Sequence, residues 1–254
     1  MENKTTKSAT AANDKAAEQD AAASTASVRN PRDWPRDWPR DWMLPGALML
    51  FGLSAALIFM MKIPPVEGLG NLVKLPMFHG ALTWSNIILF AVMGVLGLVC
   101  YFTNNARLYS WVKALRFSLI PLWIANFALG LFIATLTWDF AGATESTLAW
   151  LMREPRIQMQ FIVSMLGIAV LILPTIFTRW RTLSVFDGAY GFLTILAVWI
   201  SRNFGQSLHP PNPAMNSEDF VIRFAFLAMG FGLFMAVSGM VMVVRSLILR
   251  KMNK

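Results

Sequence analysis

Pro76-Met-Phe-His79-Gly-Ala-Leu-Thr-Trp84 marks the point where a polar segment turns into a long apolar run, and it holds one of only two histidines in the chain. The other, His209, lies in Gln206-Ser-Leu-His209-Pro-Pro, directly ahead of the last apolar run. The arrangement of these runs decides what the two histidines can do together.

Outward from this stretch the sequence is strongly apolar. Of its 254 residues, 56% are hydrophobic and 14% charged, against about half and about a quarter in a soluble domain. The apolar residues gather into runs long enough for a helix to cross about 30 Å of hydrocarbon, which takes roughly 20 residues. Six such spans are expected, at 43–61, 77–102, 117–138, 157–177, 184–200 and 220–244. The fold class is therefore all-α: a polytopic membrane protein with a six-helix bundle over residues 43–250 and a basic tail at 251–254.

Ahead of the bundle, residues 1–30 mix Ala, Ser, Thr and charged residues without apolar periodicity. Such a segment cannot bury enough surface to offset its ordering entropy, so a disordered tail is expected. It has no early apolar core, which excludes a signal peptide. Residues 31–42 repeat Pro-Arg-Asp-Trp three times. Proline at every fourth position disfavours a regular helix. Trp and Arg suit the headgroup zone, so the repeat reads as an anchoring collar or as a docking element for a partner subunit.

Net charge is +8, but the cations sit between spans and at the tails, which points to a membrane and not to nucleic acid. Arg107, Lys113 and Arg116 in the 103–116 loop belong to one set of connections. Arg179 and Arg181 in the 179–183 turn and the C-terminal Arg245, Arg250, Lys251 and Lys254 complete it. The other connections, 62–76, 139–156 and 201–219, balance cations with Glu67, Asp139, Glu145, Glu154, Glu218 and Asp219. The positive-inside rule then places both termini in the cytoplasm.

On this topology His79 and His209 share the outer side. An ionisable group near hydrocarbon is a functional candidate, although either histidine alone reads equally well as an interfacial residue bonded to backbone or water. Together they offer two imidazoles, which can take both axial positions of a heme iron. Zinc would need further ligands at a recognisable spacing, and none is apparent. The single Cys100 excludes an internal disulfide and a covalent Cys-x-x-Cys-His heme site. No nucleophile elbow or phosphate-binding glycine loop is present. Gly94, Gly97, Gly230 and Gly232 read as close-packing positions between helices.

Trp84, about one and a half turns beyond His79, suits the side of a planar ligand or a lipid-facing position. Trp150 precedes Arg153-Glu-Pro-Arg156 at the start of the fourth span. Arg156, Arg153 or Arg202 would suit a propionate, and Arg153-Glu-Pro-Arg156 reads equally as a helix-start anchor.

These residues resemble the heme-handling membrane proteins of cytochrome c assembly, of the CcmC/CcsA type. His79-Gly-Ala-Leu-Thr-Trp84 is similar to that family's His-Val-Pro-x-x-Trp. Ser201-Arg-Asn-Phe-Gly-Gln-Ser-Leu-His209-Pro-Pro is similar to its Ser-Val-x-Trp-Trp-x-Thr-Leu-His-x-Pro, with Phe204 where one Trp stands. Arg153-Glu-Pro-Arg156-Ile-Gln158 resembles its Trp-Asp-x-Arg-Leu-Thr. The likeness covers about residues 43–250. The family's Trp-Gly-x-x-Trp-x-Trp-Asp signature and its paired Trp before the second histidine are absent, so heme binding is implied more strongly than heme delivery. The resemblance implies a non-covalent heme b near the outer face, with His79 and His209 as axial ligands. Trp84, Trp150 and Phe204 would line the ring, and Arg156 or Arg202 would meet a propionate.

Heme transfer to an apocytochrome or carrier is the first functional expectation, in a bacterial inner membrane and without substrate chemistry. An electron-transfer anchor that keeps the heme within an oxidoreductase is the second. A non-heme structural subunit among other membrane subunits is the third.

Overall fold

A computed structural model describes residues 40–138, 146–203 and 214–252. The chain divides into two units, 1–40 and 41–254. The expected tail and nearly all of the Pro-Arg-Asp-Trp repeat fall in the first unit, outside the described residues.

Among the described residues the fold is all-α. Its helices are α1 (Arg40–Lys62), α2 (Lys74–Thr103), α3 (Ala106–Thr137), the short α4 (Thr147–Leu151), α5 (Pro155–Ile176), α6 (Trp180–Asn203) and α7 (Phe220–Met252), with a 3-10 turn at Asn71–Val73. Among the described residues the only β pairing is a single bridge between Val66 and Gly70. Six of the helices are long and apolar enough to cross a membrane. Large apolar side chains such as Leu50, Phe102 and Phe231 lie on their outer surfaces, as they do where lipid replaces water. The protein is an integral membrane protein.

The spans are longer than their apolar runs because polar ends continue the helices. The largest difference falls at residues 103–116, expected as a loop. Only Asn104 and Asn105 link α2 to α3. Asn104 takes a left-handed conformation with φ 53°, which closes α2 at a position that tolerates Asn. The Asn105 side chain then accepts from the Arg107 and Leu108 amides and caps α3. Arg107, Lys113 and Arg116 are therefore helical. Likewise α6 starts at Trp180, so Arg181 belongs to its first turn, and α1 starts at Arg40, inside the last copy of the repeat.

Helix α2 is the hub, packed against α3, α6 and α7, while α3 also meets α5, α6 and α7. Within its most apolar stretch 44% of α2 is buried, against 17% of α1, so α1 is peripheral. Glycines set the closest approaches, as expected for Gly94, Gly97 and Gly232. A Cβ on Gly97 would lie 2.7 Å from the Gly188 backbone, and one on Gly191 would lie 2.5 Å from the Phe90 carbonyl oxygen. Gly232 faces Gly52 in the same way, joining α7 to α1. Only the absence of side chains lets the backbones come so near. Gly230 is looser, with Ala81 Cβ at 4.0 Å, and its carbonyl accepts from Ser85.

Candidate functional site

His79 lies in the second turn of α2 and faces α3. Its ring Nδ1 is 3.0 Å from Asn126 Oδ1. Asn126 Nδ2 donates to Thr83 Oγ1 at 2.8 Å, and the Thr83 hydroxyl donates to the His79 carbonyl at 2.9 Å. These bonds match one neutral tautomer of the ring. The Thr83 hydrogen is committed to a carbonyl, so its oxygen accepts the Asn126 amide, which leaves Asn126 Oδ1 to accept from His79 Nδ1–H. In that tautomer Nε2 is the acceptor nitrogen, the arrangement found when a ligating histidine is held by its other N–H.

The ring rests on Gly130. A Cβ at that position would lie 2.6 Å from His79 Cε1 and 2.9 Å from Nε2, so a glycine is what allows α3 to receive the imidazole. Asn126 and Gly130 are four residues apart on one face of α3.

His79, Thr83 and Gly130 border a cavity of about 1040 Å³, the upper end of the usual range of about 300–1,000 Å³ for small-molecule sites. Its wall is mostly apolar. Trp84, Trp138, Trp150, Glu154 and Arg156 also line it, as do Ser201 of α6 and Ala214 on the far side of residues 204–213. Trp138 and Trp150 meet edge to face with centroids 6.0 Å apart. Trp84 is 42% exposed, so it stands at the rim, whereas Glu154 is 1% exposed.

Four expected site residues, His79, Trp84, Trp150 and Arg156, thus share one cavity. Arg153 is exposed and does not line it. Arg202 lies in the last turn of α6, but its side chain, together with Phe204 and His209, is outside the described residues. Among the described residues no group of three or more His, Cys, Asp or Glu is placed to hold a metal ion. Asn126, Gly130 and Thr83 were not singled out from sequence. Their signal was the spacing of polar residues along apolar helices.

A second polar centre lies toward the opposite end of the bundle. Arg116, expected in a loop, is 1% exposed inside α3 and pairs with Asp187 of α6, which is fully buried. One guanidinium nitrogen, Nη1, reaches both carboxylate oxygens, at 3.2 and 3.3 Å. Arg116 sits ten residues before Asn126, about 15 Å along the helix. Between the two centres Phe90 meets Trp123 and Tyr190 edge to face, at 5.7 and 5.5 Å.

A scan of the chain against protein-family models gives no match, and a search of curated proteins gives none.

Proposed function

We propose that the protein is a heme-handling membrane protein that holds a non-covalent heme b in the His79 cavity, with His79 and His209 as axial ligands. The observation that carries this reading is the His79 imidazole itself. Its Nδ1 is held by Asn126 Oδ1, at the wall of a large, mostly apolar cavity whose lining includes four tryptophans and an arginine. The residues present fit a porphyrin in chemistry: an oriented imidazole for the iron, indole faces for the ring, and Arg156 for a propionate. Heme bound there would supply one redox-active iron. His209 belongs to the 204–213 connection, whose flanks Ser201 and Ala214 line the same cavity.

Positive-inside orientation puts this end of the bundle on the outer face of a bacterial inner membrane, with both termini in the cytoplasm. Transfer to an apocytochrome or carrier is the activity that the family resemblance suggests. A second reading, a retained heme in an electron-transfer subunit of a larger complex, draws on the rigidity of His79. A ring held by Asn126, which Thr83 holds in turn, and packed on Gly130 suits a cofactor that stays.

The test is the absorption spectrum of the detergent-purified protein, oxidised and dithionite-reduced, beside His79→Ala and His209→Ala. A sharp low-spin reduced band, lost in both variants, is the expected result. A well-folded preparation without heme after expression with heme supplied would overturn the proposal. Mixing the loaded protein with an apocytochrome then separates transfer from retention.

A further inference from the structure

Three helix faces meet along the inside of the bundle. On α2, His79, Thr83, Asn86, Phe90, Gly97 and Cys100 recur at the alternating steps of three, four and seven that keep one face toward its neighbours. On α3 the same spacing joins Arg116, Trp123, Asn126 and Gly130, and on α6 it joins Ser184, Asp187, Gly191, Thr194 and Ser201. These stripes form a polar seam from the His79 cavity to the Arg116–Asp187 pair.

Among the described residues seven buried side-chain polar atoms have no protein hydrogen-bond partner, and five lie on this seam: Nδ2 and Oδ1 of Asn86, Nε1 of Trp123, and Nε and Nη2 of Arg116; the other two are Trp42 Nε1 and Ser118 Oγ. Asn86 is fully buried, and Trp123 and Arg116 are each 1% exposed. Register brings the first two residues together. Thr83 is bonded to Asn126 and Phe90 lies edge-on to Trp123, so Asn86, between Thr83 and Phe90, faces α3 between Asn126 and Trp123.

We propose that the seam binds internal water between Asn86 and Trp123, beneath the His79 cavity. Buried water typically makes about three hydrogen bonds to groups that are otherwise unsatisfied. Trp123 Nε1 and Asn86 Nδ2 donate to this water, which donates back to Asn86 Oδ1. The inference rests on hydrogen-bond accounting alone and stands independently of what fills the cavity.

Millisecond X-ray radiolysis of the full-length protein in detergent, after brief mixing with ¹⁸O water, labels side chains beside bound water even where bulk solvent has no access. Trp123 should take up label, and Met229, equally buried, should not. Trp123 labelled no more than Met229 would overturn the proposal. Asn86→Leu gives a second readout. Replacing a dry, unsatisfied amide by a similar apolar shape raises Tm, whereas removing the partner of a bound water lowers it and abolishes the Trp123 label. A raised Tm with unchanged labelling would refute the water at Asn86.

Discussion

Asp187→Leu should destabilise the bundle severely, and adding Arg116→Met should undo most of the damage. Arg116 and Asp187 are 1% and 0% exposed and 3.2 Å apart. Their attraction at an effective dielectric constant of 20 is about 5 kcal/mol, set against a large desolvation cost for each ion. Removing the carboxylate leaves the guanidinium buried and unbalanced, a loss of about 3–5 kcal/mol in comparable pairs. Removing both charges spares the desolvation cost as well, and such replacements come out near neutral. With a total stability of about 5–15 kcal/mol and roughly 2–4 °C per kcal/mol for a chain of this size, the single variant should melt roughly 10 °C lower. The double variant should return to within a few degrees of the parent. Thermal unfolding in detergent, followed by circular dichroism across the full double-mutant cycle, measures this directly. An Asp187→Leu protein that melts with the parent would refute the reasoning, because the pair would then not be charged and buried together. A double variant that loses the sum of the two singles would refute it too, because the residues would then act separately.

Gly130→Ala should cost about 1–2 kcal/mol and alter heme binding, since its Cβ would meet His79 Cε1 at 2.6 Å and relief requires the ring to leave Asn126. Unchanged stability together with an unchanged reduced spectrum would count against the described seat of His79. Gly191→Ala should lower Tm, because its Cβ meets backbone at Phe90 and Gly94 within 2.5–2.9 Å, and backbone yields less readily than a side chain. Gly46→Ala, with nothing within 4 Å, is the matched control in α1; it should leave Tm unchanged or raise it, and an equal fall in both would show that glycine packing is not what holds α2 to α6.

The number of spans and the placement of His79, Trp84, Trp150 and Arg156 at one end of the bundle were legible in the sequence because both follow from hydropathy and alternating topology. Arg116 was not. A cation at the edge of an apolar run looks like a positive-inside residue, and only its distance from the Asn104–Asn105 turn, about three helical turns, puts it inside the bundle. The turn itself was hidden because α3 begins at Ala106, well ahead of the apolar segment expected from residue 117. Asn126 and Gly130 escaped for another reason. A lone Asn or Gly within a span has many uses, and its role appears only once the antiparallel register of α2 and α3 sets it opposite His79. The heptad spacing of Arg116, Trp123 and Gly130 was the readable signal.

The cavity follows from how the glycines are distributed. At Gly97 and Gly188, and again at Gly191 and Gly94, α2 and α6 touch through backbone atoms. Only four residues beyond Gly191, about 6 Å along the helix, Ile195 borders the cavity, followed by Val198 and Ser201, while Thr83 and Ile87 border it on α2. Small residues therefore pinch the pair where Asp187 must reach Arg116, and larger ones hold it apart where His79 must face open space. Closing the pinch and opening the cavity are one arrangement of side-chain size. A substitution that forces α2 and α6 apart at Gly97 or Gly191 should therefore be felt first at the buried ion pair, which depends on that approach, and only afterwards at His79, whose hold on Asn126 and Gly130 runs through α2 and α3 alone.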